Sequence, residues 1–190
     1  MNEIVVNAIH EHVGLAQRLE MELAGQVLTL GRLLIDCAKQ GGTIFWCGNG
    51  GSAADSQHLA AELIGRFQRE RRAIASMALT TDTSILTAIG NDYSFREIFS
   101  RQVEGMARHG DVLVGLSTSG NSENVLLAVR KAREKGAVTL GLLGRDGGQL
   151  RTECDHSLVV PSTDTARIQE MHILIGHILC DLVEREIAAH

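Results

Sequence analysis

Five short apolar segments punctuate the chain: 43-TIFWC-47, 73-AIASMAL-79, 111-DVLVGLS-117, 137-AVTLGLLG-144 and 157-SLVVP-161. Between them lie longer stretches with apolar residues at helical spacing. This alternation constrains the fold more than any other feature. Strand segments apolar on both faces need cover on both sides. Strands that alternate with helices read as α/β, with a parallel sheet between two helical layers. Crossovers are then right-handed, and loops after the strands gather along one edge.

Helices are expected near 52–65, 82–90, 95–108, 122–135 and 165–188. A longer helical segment, or two in series, is expected from about 3 to 40. Its apolar positions are Leu15, Leu19, Leu23, Val27, Leu30 and Leu34, and it ends at 41-GG-42. A Gly-rich turn is expected at 146-DGG-148. The single proline is Pro161, and no low-complexity linker interrupts the chain. A single domain over 1–190 is therefore expected.

The 190 residues are 44% hydrophobic and 22% charged, which suits a soluble globular chain. The net charge of −5 argues against broad nucleic-acid binding, which needs clustered Lys and Arg. The one basic cluster, 66-RFQRERR-72, is laced with Glu70 and reads as a solvated or subunit-contact surface. Cys37, Cys47, Cys154 and Cys180 form no C-x-x-C and read as reduced thiols, which suits a cytoplasmic protein. The first residues, 1-MNEIVVNAIHEHVG-14, are not a secretory signal, and no apolar run approaches the ~18 residues of a membrane span.

Two Gly/Ser turns follow strands and so fall on the ligand-binding edge. In 117-STSGNS-122 a strand ends and a helix begins. Helix N-termini carry unpaired N–H groups and partial positive charge. Ser117, Thr118, Ser119 and Ser122 add hydroxyls, and Gly120 lets the backbone approach closely. Such a turn can encircle a phosphate. The alternative is that one of these residues simply caps the helix. The other turn, 48-GNGGS-52, departs from G-x-G-x-x-G at its sixth position, Ala53. No Walker lysine is present, so a nucleotide triphosphatase is not indicated.

Two helices carry further candidates. His58 and Glu62 are four residues apart in 57-QHLAAELIGRF-67 and share a helix face. They could bind a metal together, or Glu62 could act as a base, or they could be an ordinary surface pair. In 167-RIQEMHILIGH-177, Gln169 and His177 lie along one stripe, beside core-like Ile168, Met171 and Leu174. The stripe residues could equally be partly buried packing residues. Gln169 and His177 are eight residues apart, about 12 Å of helix rise. One ion held by both is awkward within a single regular helix. Either Gln169 precedes the helix, or different subunits supply the two.

Taken together, CGNGGSAADSQHLAAELIGRF, ALTTDTSILTAIGNDYSFREIFSRQVE, GDVLVGLSTSGNSENVLLAV, GLLGRDGG and TARIQEMHILIGHILCDLVE resemble the sugar isomerase (SIS) domain family, in its phosphoheptose isomerase branch. The resemblance covers nearly the whole chain. It implies a three-layer, flavodoxin-like parallel sheet flanked by helices. It implies a homotetramer with active sites at subunit interfaces, and the 1–40 segment lying between subunits. The implied reaction is an aldose–ketose isomerisation of sedoheptulose 7-phosphate to D-glycero-D-manno-heptose 7-phosphate, the first step of bacterial ADP- or GDP-heptose biosynthesis.

By matching position, the resemblance gives Ser117, Thr118, Ser119 and Ser122 to the phosphate. It gives Asn49, Gly50, Gly51, Ser52, Glu62, Asn91, Asp92 and Gln169 to the sugar. His58, Glu62, Gln169 and His177 match zinc-binding positions, and Glu62 and His177 match an acid–base pair. Arg66 is expected to orient a carboxylate. Some relatives carry an acidic residue just before the Arg of the RIQE segment. Here that position is Ala166, so Glu62 gains importance. A related branch resembles a replication-initiator-associating adaptor that does no known chemistry. It lacks a carboxylate at the position of Glu62 and a histidine at that of His177.

Overall fold

The computed structural model describes residues 1–189, so the last residue of the expected 1–190 domain lies outside the described residues. Helix α1 (Asn2–Arg18) passes through a π-helical turn (Leu19–Leu23) into α2 (Ala24–Lys39). Next come β1 (Ile44–Gly48), α3 (Gly51–Ile64), β2 (Ser76–Ala78) and α4 (Thr83–Asp92). A 3-10 turn (Phe95–Glu97) leads to α5 (Ser100–Met106), β3 (Val112–Ser117) and α6 (Glu123–Glu134). The chain closes with β4 (Val138–Gly144), α7 (Leu150–Glu153), β5 (His156–Val160) and α8 (Thr165–Ala188).

All five strands are parallel, in the order β2-β1-β3-β4-β5. This is the doubly wound, flavodoxin-like order, in which successive strands are added on one side of β1 and then, from β3 on, on the other. Strand side chains alternate between two helical layers. Trp46, Val114, Leu116, Leu140 and Leu142 pack with α2, α3 and α8. Phe45, Cys47, Leu113 and Leu143 pack with α5, α6 and α7. Helices α3 and α8 therefore lie on the same face of the sheet.

Several expected boundaries shift for identifiable reasons. The expected strand 73–79 shrinks to Ser76–Ala78, because Ile74 donates its N–H to Leu63 O at 3.0 Å instead of joining the ladder. The expected helix 95–108 splits, because Glu97 N bonds Ser94 O at 3.1 Å in a tight 3-10 turn. The one-or-two-helix segment is continuous but contains a π turn, which inserts an extra residue and rotates the stripe that follows. As a result α2 buries Val27, Leu30 and Leu34, while α1 buries nothing. The short helix α7 has no counterpart in the sequence reading.

All four cysteines are free and buried. Burial pushes the thiols of Cys37, Cys154 and Cys180 up to about 12 and that of Cys47 higher still. Each stays protonated and unreactive. Among the described residues no helix is long and apolar enough to cross a membrane.

Candidate active site

The β1 and β3 loops meet at the switch point, where ligands of open α/β sheets bind. Asn49 follows β1 and Asn124 sits in the first turn of α6. Their amides exchange two hydrogen bonds, each 2.8 Å, and tie the loops together. Ser117 is buried, and its Oγ pairs with Ser122 Oγ at 2.9 Å. Ser122 stands at the N-cap of α6 but makes no side-chain cap bond. Simple capping therefore does not account for this cluster of hydroxyls. The turn is tight: Gly120 has φ +66°, and a β-carbon there would fall 1.9 Å from Gly147 O. Only glycine fits. Asn121 completes the turn, its backbone N–H donating to Ser119 Oγ at 3.1 Å. A cleft of about 850 Å³ opens beside it, lined by Ser119, Asn121, Arg145, Asp146, Ser162 and Thr163 among others.

A second group forms where α3 runs beside α8. His58 Nε2 lies 3.0 Å from Glu62 Oε1 and 3.3 Å from His177 Nε2. The three donor atoms lie within 4.8 Å of one another. The helices can approach this closely because residue 176 is glycine: a β-carbon there would sit 2.5 Å from Leu59. Phe67 stacks on the His177 ring with centroids 5.4 Å apart and a 22° interplanar angle. Two imidazole nitrogens and one carboxylate oxygen converge here, a donor set that fits a divalent cation with an open position. His58 is about half exposed, while the Glu62 side chain is 22% exposed.

Sequence reasoning did not single out Asp55, one turn before His58. Burial raises its carboxyl above the usual range, and the nearby His58 and His177 charges partly oppose that rise. Its spacing of three residues from His58 was the available signal. Asn124 was also missed; it reads as an ordinary helix residue until the fold brings Asn49 to it.

The other expected residues fall elsewhere within one chain. Gly50 has φ +56°, and Gly51 and Ser52 open α3 at the switch point. Gln169 lies against Gly51, where a β-carbon would come 2.6 Å from its Nε2. It therefore sits beside the loop that opens α3, at the opposite end of the α3–α8 contact from His177. The spacing difficulty read from the sequence is real. Asn91 and Asp92 end α4, exposed, with Asn91 Nδ2 donating to Asp92 Oδ1 at 2.8 Å. Arg66 is exposed, and the carboxylate its Nε approaches is that of Glu70, at 4.0 Å.

The SIS domain family model matches residues 9–144. The phosphoheptose isomerase of Campylobacter jejuni is 57% identical over 184 residues, spanning 97% of this chain and 98% of that protein. The phosphoheptose isomerase of Geobacter sulfurreducens is 60% identical over 171 residues, 90% of each chain. The structure of phosphoheptose isomerase from Neisseria gonorrhoeae superposes with a TM-score of 0.92 at 46% identity, covering 97% of this chain and 98% of that one. With near-full-length identity at this level and a matching fold, the chain belongs to the SIS domain family, in its phosphoheptose isomerase branch.

Proposed function

We propose that the protein isomerises D-sedoheptulose 7-phosphate to D-glycero-D-manno-heptose 7-phosphate through an enediol, opening a bacterial heptose-biosynthesis route. The convergence of Glu62 with His58 and His177, in a chain that also carries the Ser117–Ser122 hydroxyl turn, is the observation that supports this most. The adaptor reading needs neither Glu62 nor His177, and both are present in one group.

In this reading Ser117, Thr118, Ser119 and Ser122 hold the phosphate with the N-terminus of α6. Asn49, Gly50, Gly51, Ser52, Asn91, Asp92 and Gln169 line the sugar. Glu62 removes a proton from C1 of the ketose as O2 gains one, giving the enediol. Return of a proton to C2, with loss of the proton on O1, gives the aldehyde. His177 moves the proton between the two oxygens. His58, Glu62 and His177 would hold zinc, with Gln169 donated by a neighbouring copy. When bound, such an ion polarises the carbonyl and steadies the enediolate.

The site is shared between subunits in this reading. Helix α3 rises about 16 Å from Gly51 to Glu62, farther than an extended seven-carbon sugar spans. In this reading the hydroxyl turn of one chain serves the Glu62 and His177 of another. A homotetramer is supported by the apolar surface left by α1, where Ile4, Val5, Ile9 and Val13 are exposed. It is also supported by a 420 Å³ groove between Leu19, Val27, Leu28, Leu174, Ile178 and Leu182. The 1–40 segment belongs to this interface in a single SIS domain. Four buried, protonated thiols support a cytoplasmic setting.

Mixing the protein with sedoheptulose 7-phosphate and following aldose product tests the reading. Glu62→Gln should abolish turnover with the fold intact; near-normal activity in that variant overturns the assignment.

A further inference from the structure

We propose that the buried Glu184–Arg71 pair is a positioning device for the isomerase step, fixing His177 through Phe67 and Glu62 through the end of α3. This rests on the isomerase reading for its catalytic meaning, but the device itself is a matter of packing.

Glu184 lies on α8 two turns beyond His177 and its side chain is 0% exposed. Its carboxylate accepts three successive backbone N–H groups: Phe67 at 2.8 Å, Gln68 at 2.7 Å and Arg69 at 2.8 Å. Burial alone would raise this carboxyl. The N–H groups of Gln68, Phe67 and Arg69, with the charge of Arg71, outweigh burial and hold it below the ordinary range. The charged form is thus built into the fold.

Arg71 closes the other side. Its Nε lies 3.4 Å from Glu184, and its side chain is 1% exposed. Its terminal nitrogens donate to Glu62 O at 2.7 Å and to Leu63 O and Gly65 O at 2.9 Å. These carbonyls lie at the C-terminal end of α3, where intrahelical donors run out. One guanidinium therefore ties down the turn that carries Glu62.

Between the two charges the chain has little freedom. Residues 67–69 are held by their own N–H groups, and Phe67 is laid flat on His177. On its other side His177 meets the His58 ring edge-on, at 5.0 Å and 67°. The imidazole is thus confined from two directions. Stability explains the buried pair poorly, because well-packed apolar residues commonly do as well or better. A pair that fixes one loop geometry beside two reacting groups is better explained by position.

The test uses the whole protein with two single variants, Glu184→Gln and Phe67→Leu, and their double. Each single variant should lower kcat about ten- to a hundredfold, the scale of a small misplacement. KM should stay within about twofold, because the hydroxyl turn is untouched. The double variant should be no worse than the poorer single one, because both break one path. Independently of activity, a crystal structure of Glu184→Gln should show Phe67 lifted from His177. Normal kcat in Phe67→Leu, additive losses, or an undisturbed Phe67–His177 stack in Glu184→Gln would overturn the proposal. If Glu184→Gln does not fold, Phe67→Leu alone decides: a lowered kcat at unchanged KM supports the device, and a normal kcat rejects it. A wild-type protein with no isomerase activity, but with the stack lost in Glu184→Gln, would reject the isomerase reading and leave the device standing.

Discussion

His58 and His177 are separated by 119 residues in sequence and bring their Nε2 atoms to 3.3 Å. Two neutral imidazoles do not both donate across such a gap. One ring can donate to the other, or both lone pairs can turn to a cation, and Glu62 at 3.0 Å from His58 adds a carboxylate oxygen to the same group. Metal analysis of the purified protein should find about one zinc per chain. His58→Ala and His177→Ala should each lose it while remaining folded by circular dichroism. Full zinc retention in both would separate the histidine pair from any metal role.

The hydroxyl turn should act on binding rather than on chemistry. Thr118 is half-buried, and its hydroxyl has no hydrogen-bond partner among the described residues. Thr118→Val removes that hydroxyl at nearly constant shape. Loss of a hydrogen bond to a charged phosphate costs about 1.5–3 kcal/mol, about ten- to a hundredfold in KM. Steady-state kinetics should show that rise with kcat much less affected.

Close helix contact at Gly176 should be a weak point. In Gly176→Ala the new methyl would sit 2.5 Å from Leu59 Cδ1. Overpacking of this kind costs about 1–3 kcal/mol. Urea unfolding should show the loss, and activity should fall further than stability alone explains, because α3 and α8 separate beside His58 and His177.

His172 gives a pH signature distinct from the site. It is fully buried, and its Nε2 donates to Leu143 O at 3.0 Å while Nδ1 has no partner. Burial lowers its pKa from 6.5 to about 4, against a smaller opposing effect of the Leu143 carbonyl. The folded state therefore binds this proton more weakly than the unfolded chain. Stability from the neutral ring is present above about 6.5 and is lost as pH falls toward about 4, at up to about 1.4 kcal/mol per pH unit. Denaturant midpoints at pH 7 and pH 5 should differ more in wild type than in His172→Gln, whose amide can keep the bond to Leu143 O.

Much of the architecture was legible because the signals are local. The last helix runs from Thr165 to Ala188 as its spacing indicates, and Asp164 caps it by accepting from Ala166 and Arg167 N–H. The hydroxyl turn announced itself by an excess of Ser and Thr over what one cap needs. Other features depend on which helices become neighbours. Glu184 looks like a surface residue of an amphipathic helix until the 67–69 N–H groups arrive from another part of the chain. Asn49 and Asn124 pair across 75 residues, which no local pattern encodes. The π turn at Leu19–Leu23 leaves no mark in apolar spacing, because Leu19 and Leu23 fit an ordinary helix stripe as well.

The most direct measurement compares wild type and Glu62→Gln at equal folded concentration, with sedoheptulose 7-phosphate as substrate and aldose product followed over time. Wild type should turn over steadily and the variant show nothing above background, with both giving the same unfolding transition. No product from wild type, or comparable turnover by the two proteins, would contradict the isomerase reading.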